Sequence, residues 1–240
     1  MHERLLQYRA PEEIADALGA KPLASNTAVP RRSVAPGSQI LAVRSLGKTG
    51  ERVLESLQWG LIARFFPFPE HGLKCSLARD DEVHAKAAFR SAFRMRRCIV
   101  PVDSFFASRS DNGMLSSYAF SSLDGGPLYV AGVWDSWTNP ETGVRIRSCA
   151  LVTIRAHKLV QQVQPRMLAI LPSNLHAQWL GEAPSDARDL RSMLRPCGPE
   201  DMRMEPASPA IQLPPHPNST SVRLSRRGLR RASLRATRSV

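Results

Sequence analysis

Leu128-Tyr129-Val130-Ala131-Gly132-Val133-Trp134 is the stretch that decides how this chain folds. The run is apolar but closed by Asp135, far short of the roughly 18 uncharged residues of a membrane span. Residues 128–133 therefore read as a buried strand. Runs of the same kind recur at residues 39–43, 53–59, 98–102, 118–122 and 149–154. Among them lie helices. Residues 11–18 open with Pro11, carry acids in the first turn and end before Gly19, the usual asymmetry of helix termini. Residues 84–95 place Ala85, Ala88, Phe89, Ala92 and Phe93 on one stripe, with Arg90, Arg94 and Arg97 away from it. Shorter helices are expected at 174–180 and 185–194, started by Ser173 and by Pro184 or Ser185. With no alternating βαβ series, no Gly-rich phosphate loop and no internal repeat, a Rossmann or P-loop reading is poor. The expected fold is one α+β domain over residues 1–213.

The 240 residues carry 33 Lys and Arg against 21 Asp and Glu, a formal charge of +12 that is unevenly spread. Seven arginines fall in residues 214–240 (Arg223, Arg226, Arg227, Arg230, Arg231, Arg235, Arg238), which contain no acid. That segment lacks the apolar surface to offset its ordering entropy and is expected to be a disordered basic tail. Without its arginines, 26 basic side chains face 21 acidic ones, leaving +5. Arginine carries most of this charge, and guanidinium groups fork onto phosphates and stack on bases, which favours a nucleic-acid partner. Cys75, Cys98, Cys149 and Cys197 lack the spacing of a zinc site, and no metal or cofactor is expected. The N-terminus has no apolar run before its first charges, so a cytoplasmic protein without membrane attachment is expected.

Several local strings form an ordered set: Arg31-Arg32-Ser33-Val34-Ala35-Pro36, Trp59-Gly60-Leu61-Ile62, Ala78-Arg79, Phe89-Arg90, and Arg96-Arg97-Cys98-Ile99-Val100-Pro101-Val102-Asp103. Ala131-Gly132-Val133-Trp134, Thr153, Arg166-Met167, Ile170-Leu171-Pro172 and Trp179-Leu180 complete it. Over residues 1–210 the set resembles the SRAP family, the SOS response-associated peptidase proteins that sense abasic sites in single-stranded DNA. The resemblance implies a mixed, largely antiparallel, barrel-like sheet flanked by helices.

The resemblance also implies a chemistry that this chain departs from. Active members begin Met-Cys-Gly-Arg and use the exposed Cys to trap the abasic aldehyde as a thiazolidine, whereas this chain begins Met1-His2-Glu3-Arg4. The family Asn before Ala-Arg is matched by Leu77, the Glu of its Gly-Phe-Tyr-Glu-Trp string by Ala107, and the His of His-Asp-Arg-Met by Gln164. At His2, Leu77, Ala107 and Gln164 the thiol, amide, carboxylate and imidazole that the chemistry needs are replaced. Two substitutes are conceivable: the Met1 amine, and the Cys75 thiol if Cys75 and Leu77 share a strand face. The DNA-contacting positions of the family fall on Arg4, Pro36, Trp59, Leu61, Arg79 and Arg166. The arginines would bind phosphates, while Pro36, Trp59 and Leu61 would offer apolar platforms to unstacked bases. Trp134 and Trp137 read as core. The expected partner is single-stranded or abasic DNA held without a stable covalent adduct. The alternatives are an active peptidase-like, cross-linking enzyme using unconventional residues, and an interaction scaffold that docks through its basic tail.

Overall fold

In the computed structural model, residues 4–23, 31–47, 50–111 and 114–207 are described. In chain order they form β1 (Leu5–Gln7), α1 (Pro11–Leu18), β2 (Ala20–Pro22), β3 (Arg31–Val34), β4 (Gln39–Leu46), β5 (Glu51–Trp59), β6 (Leu77–Arg79), α2 (Ala87–Met95), β7 (Arg97–Val102), β8 (Ser104–Asp111), β9 (Met114–Ser122), β10 (Leu128–Thr138), β11 (Arg145–Arg155), α3 (Lys158–Gln161), β12 (Arg166–Leu168), α4 (His176–Leu180), α5 (Ala187–Ser192) and β13 (Met202–Pro206). The fold is mixed α+β. None of the described helices is long and apolar enough to cross a membrane. The expected tail at 214–240 lies outside the described residues.

The apolar runs build a closed ring. Strands β5, β4, β7, β10 and β11 pair in that order, and β11 returns to β5 through the parallel pairs Ser148↔Gln58 and Cys149↔Trp59. Strand β7 is buried at every position, which explains its unbroken apolar reading. Closure demands one small residue: a Cβ on Gly132 would stand 2.7 Å from the Cys98 sulfur. A second, antiparallel sheet has the order β13-β9-β8-β1-β3. Buried Gln7 stitches it to the ring, donating to the carbonyls of Leu41 (3.1 Å) and Pro101 (2.6 Å) and accepting from the Leu41 amide (2.8 Å). Both amide hydrogens and the side-chain oxygen are thereby engaged, as burial requires.

The ring wall also holds charge. Glu55 is fully buried and accepts from Arg44 and from Arg147 (2.8 Å), and the Arg44 guanidinium lies 4.6 Å over the Trp134 ring. Asp135, 3% exposed, accepts from Arg64 (3.0 Å) and pairs with Arg96. Trp134, expected in the core, is half-buried because Arg44 covers it, while Trp137 is buried and donates to the Phe66 carbonyl (2.8 Å).

The helices differ in detail from expectation. Helix α2 starts at Ala87 because backbone turns bonded to Arg79 and Glu82 occupy the preceding residues. Arg97, expected on the outer face of that helix, is instead the buried first residue of β7. Its guanidinium donates to the carbonyls of Phe93 (3.0 Å), Arg94 and Trp179, closing the C-terminus of α2 and joining it to α4. Helix α5 is capped by Asp186, whose carboxylate accepts from the Arg188 and Asp189 amides, one position beyond the expected start signals.

Candidate functional site

The C-terminal half of β11 organises the site. Its Thr153 lies in register with Arg79 of parallel β6 on one side and with Leu168 of antiparallel β12 on the other. Leu77 faces Leu151 in the same ladder. The hairpin β8–β9 brings Phe105 and Phe106 up to this junction, and β1 runs beside them, with the Phe106 amide donating to the Arg4 carbonyl (3.1 Å).

These elements enclose a pocket of about 20 Å³ lined by Arg4, Trp59, Leu77, Phe105, Phe106 and Met167, with Leu5, Thr153, Gln164 and Leu168 completing the wall. That volume admits about one water molecule. Among the described residues, Arg4 is its one ionisable lining group. The Thr153 hydroxyl is engaged, accepting from Arg166 Nε at 3.2 Å.

The structure therefore gathers Arg4, Trp59, Leu77 and Gln164 around one cavity. Ala107 does not line it; it is fully buried on β8 opposite Tyr118. His2 lies outside the described residues. Cys75 is not on a strand with Leu77: it ends the 3₁₀ segment Pro69–Cys75, does not line the pocket, and burial pushes its thiol pKa up. A buried, neutral thiol outside the cavity lining is no substitute nucleophile.

Two of the expected base platforms need correcting. Trp59 is 1% exposed and Leu61 fully buried, so neither presents a face on which a base can stack. Trp59 is held by an indole bond to the Ser76 carbonyl (3.0 Å) and Leu61 by an amide bond to the Cys75 carbonyl (3.1 Å). Between them Gly60, at φ +125°, crosses so close to Gly72 that a Cβ would meet its oxygen at 2.9 Å, and this packing draws both neighbours inward. Pro36 remains half-exposed. It occupies a turn over residues 35–38 closed by the Ser38 amide on the Ala35 carbonyl (3.0 Å), with Gly37 at φ +89°. The turn is fixed to Trp59 through Gly37 (2.6 Å) and Ser38 (2.8 Å).

The two rim arginines are not bare. Arg79 forks onto Asp81, with Nε to Oδ1 at 3.0 Å and Nη2 to Oδ2 at 2.6 Å, and lies 3.4 Å from Glu82. The Asp81 bonds hold Arg79 further toward its charged form, and the same fork lowers the Asp81 carboxyl to about 2. Arg166 donates to Asp80 and to the Thr153 carbonyl. These acids, and Phe105 and Phe106 in the pocket wall, were not among the residues singled out from the sequence. The run Arg79-Asp80-Asp81-Glu82 is the available signal, since acids directly after an arginine can fold back on it. Among the described residues, no cluster of three or more His, Cys, Asp or Glu side chains is placed to hold a metal ion.

A closed mixed barrel whose rim carries these strings defines a SRAP-like domain. Crystal structures of a protein from Bacteroides thetaiotaomicron (TM-score 0.77, 21% identity, 85% of this chain and 91% of that one) and of one from Bordetella bronchiseptica (0.73, 25%, 86% and 99%) share the fold. The family model for SOS response associated peptidase (SRAP) matches residues 1–214, and the chain belongs to that family. It is 28% identical over 186 residues to the abasic site processing protein YoqW of Bacillus subtilis, covering 77% of this chain and 82% of YoqW. To the abasic site processing protein HMCES of Xenopus tropicalis it is 27% identical over 187 residues, covering 68% of this chain but 55% of that protein.

Proposed function

We propose that this chain binds single-stranded DNA, including strands with abasic sites, without forming a stable covalent adduct. Its relatives named as abasic site processing proteins supply the substrate class. The pocket supplies the rest of the reading: where the family resemblance places an amide and an imidazole, Leu77 and Gln164 meet in a small cavity walled by Phe105, Phe106 and Met167. Among the described residues this lining offers no carboxylate or imidazole to move a proton, and its space of about 20 Å³ is the size of one water molecule.

Binding then falls to the rim. Arg79 and Arg166 neutralise phosphates, Arg4 adds charge at the pocket, and Pro36 offers an apolar edge to a base. Residues 214–240 add a salt-sensitive contact that does not choose the ligand. The protein works in the cytoplasm, on DNA exposed there.

One gel tests the covalent half. The full chain is incubated with a single-stranded oligonucleotide carrying one abasic site, then heated in detergent; a surviving shifted band overturns the non-covalent reading. Native binding tests the other half. Arg79→Ala with Arg166→Ala is expected to weaken binding to an undamaged strand by at least tenfold at low salt, and unchanged binding removes the rim from the mechanism.

A further inference from the structure

The three carboxylates that follow Arg79 sit on a loop whose turn is closed by main-chain bonds. The Glu82 and Val83 amides donate to the Arg79 carbonyl at 3.0 and 2.7 Å, and the Asp80 amide to the Thr153 carbonyl at 2.9 Å. The side chains instead reach for the two rim arginines, from opposite strands of the site. Asp81 takes both prongs of the Arg79 guanidinium, and Glu82 lies against the same group. Asp80 reaches Arg166, which is 86 residues away in sequence.

The geometry is that of a bound phosphate without the phosphate. A guanidinium presents a planar fork that takes two oxygens of a carboxylate or of a phosphate alike. The two guanidinium charges, with the Lys86 ammonium 3.9 Å from Glu82, are thus met by three carboxylate charges, so the rim is already neutralised where a DNA backbone would arrive. The Arg79 pairs are also exchangeable, while the Arg166–Asp80 pair is more enclosed, at 20% and 33% exposure. The Arg79, Asp81 and Glu82 side chains are about half exposed, at 50%, 54% and 47%, and ion pairs in water hold their partners weakly. Arg166 keeps Thr153 as a second anchor when Asp80 lets go.

We propose that Asp80, Asp81 and Glu82 set the affinity of the DNA surface by occupying Arg79 and Arg166 as internal competitors that a backbone phosphate must displace. This rests on the reading of the chain as a DNA-binding protein. The consequence is selectivity for polyanions. A strand offers consecutive phosphates and displaces several carboxylates together, whereas a lone nucleotide competes with acids that are always present.

The test is fluorescence anisotropy of the full chain with an undamaged single-stranded oligonucleotide over a salt series. Asp80→Asn/Asp81→Asn/Glu82→Gln is expected to bind about tenfold more tightly at low salt. Its slope of log affinity against log salt should steepen, because in the unaltered chain the displaced carboxylates take up cations that offset those released from the strand. Asp80→Glu/Asp81→Glu keeps the charge and should match the unaltered chain. Adding Arg79→Ala and Arg166→Ala to the neutralised variant should abolish the gain. Unchanged or weaker binding by the neutralised variant overturns the proposal, weaker binding meaning that the acids position the arginines rather than compete for them. If Arg79→Ala/Arg166→Ala weakens the unaltered chain while neutralisation gains nothing, DNA binding at the rim stands and competition falls. If neither the unaltered nor the neutralised chain binds, both fall.

Discussion

The same chemistry, arginine on carboxylate, is used in two places with opposite exposure. In the ring wall Glu55 is fully buried between Arg44 and Arg147, and Arg44 is sealed further by the Trp134 ring. On the rim Arg79 and Asp81 form a better-shaped fork but stand half in water. Burial decides what each pair is for. A charge taken out of water must keep its partner, because losing it strands an ion in low dielectric. A charge left in water can exchange one partner for another at little cost. The wall pair fixes strands and the rim pair is available to a ligand.

Breaking the wall should have the largest effect. Glu55→Ala leaves Arg44 buried without its carboxylate and is expected to cost about 3–5 kcal/mol, read as a lowered denaturant midpoint. A cost below about 1 kcal/mol would mean that the wall pair behaves like the rim pair.

Acid should act next, through the buried histidines. Burial lowers the pKa of both His157 and His176, and His176 packs edge-on against Tyr129 at 4.8 Å. Their folded values lie below the unfolded value of about 6.5, so this stability is complete above that pH and is lost as pH falls through the folded values. Melting temperature should hold steady above about pH 6.5 and decline below it. His176→Gln, which keeps a donor toward the Leu171 carbonyl, should flatten that decline.

Arg79→Ala should leave the denaturant midpoint where it was while weakening DNA binding. The two readouts separate a side chain that holds the fold from one that holds a ligand, and a shifted midpoint would place Arg79 with the wall.

The ring was legible because each of its strands carries an apolar run long enough to show burial, as at residues 53–59 and 98–102. The strands that carry the site were not. Strands β1, β6 and β12 have three residues each, too few for any period to register. Leu77, Gln164, Arg79 and Arg166 were still found, because the ordered strings mark positions without needing elements. The burial of Trp59 and Leu61 was hidden because it depends on the approach of Gly60 to Gly72, and the Arg166–Asp80 pair because its members are joined only by the fold. A single buried acid such as Glu55 within an apolar run reads in sequence as an exposed interruption.

The smallest effect is a titration, and it bears most directly on the rim. With Arg79 forked onto it, Asp81 should keep its charge down to about pH 2, against about 3.9 for a free aspartate. The pair is then present above the ordinary value and is lost only as pH falls through about 2. Carboxyl chemical shifts of Asp81 followed by NMR should show that low midpoint, and Arg79→Ala should return it to near 3.9. Saturating single-stranded DNA should do the same without any substitution. A phosphate that takes Arg79 leaves Asp81 without its cation and beside a new anion, and both changes raise a carboxyl pKa. An Asp81 midpoint that stays low in the complex would mean that the strand binds elsewhere and the fork never opens.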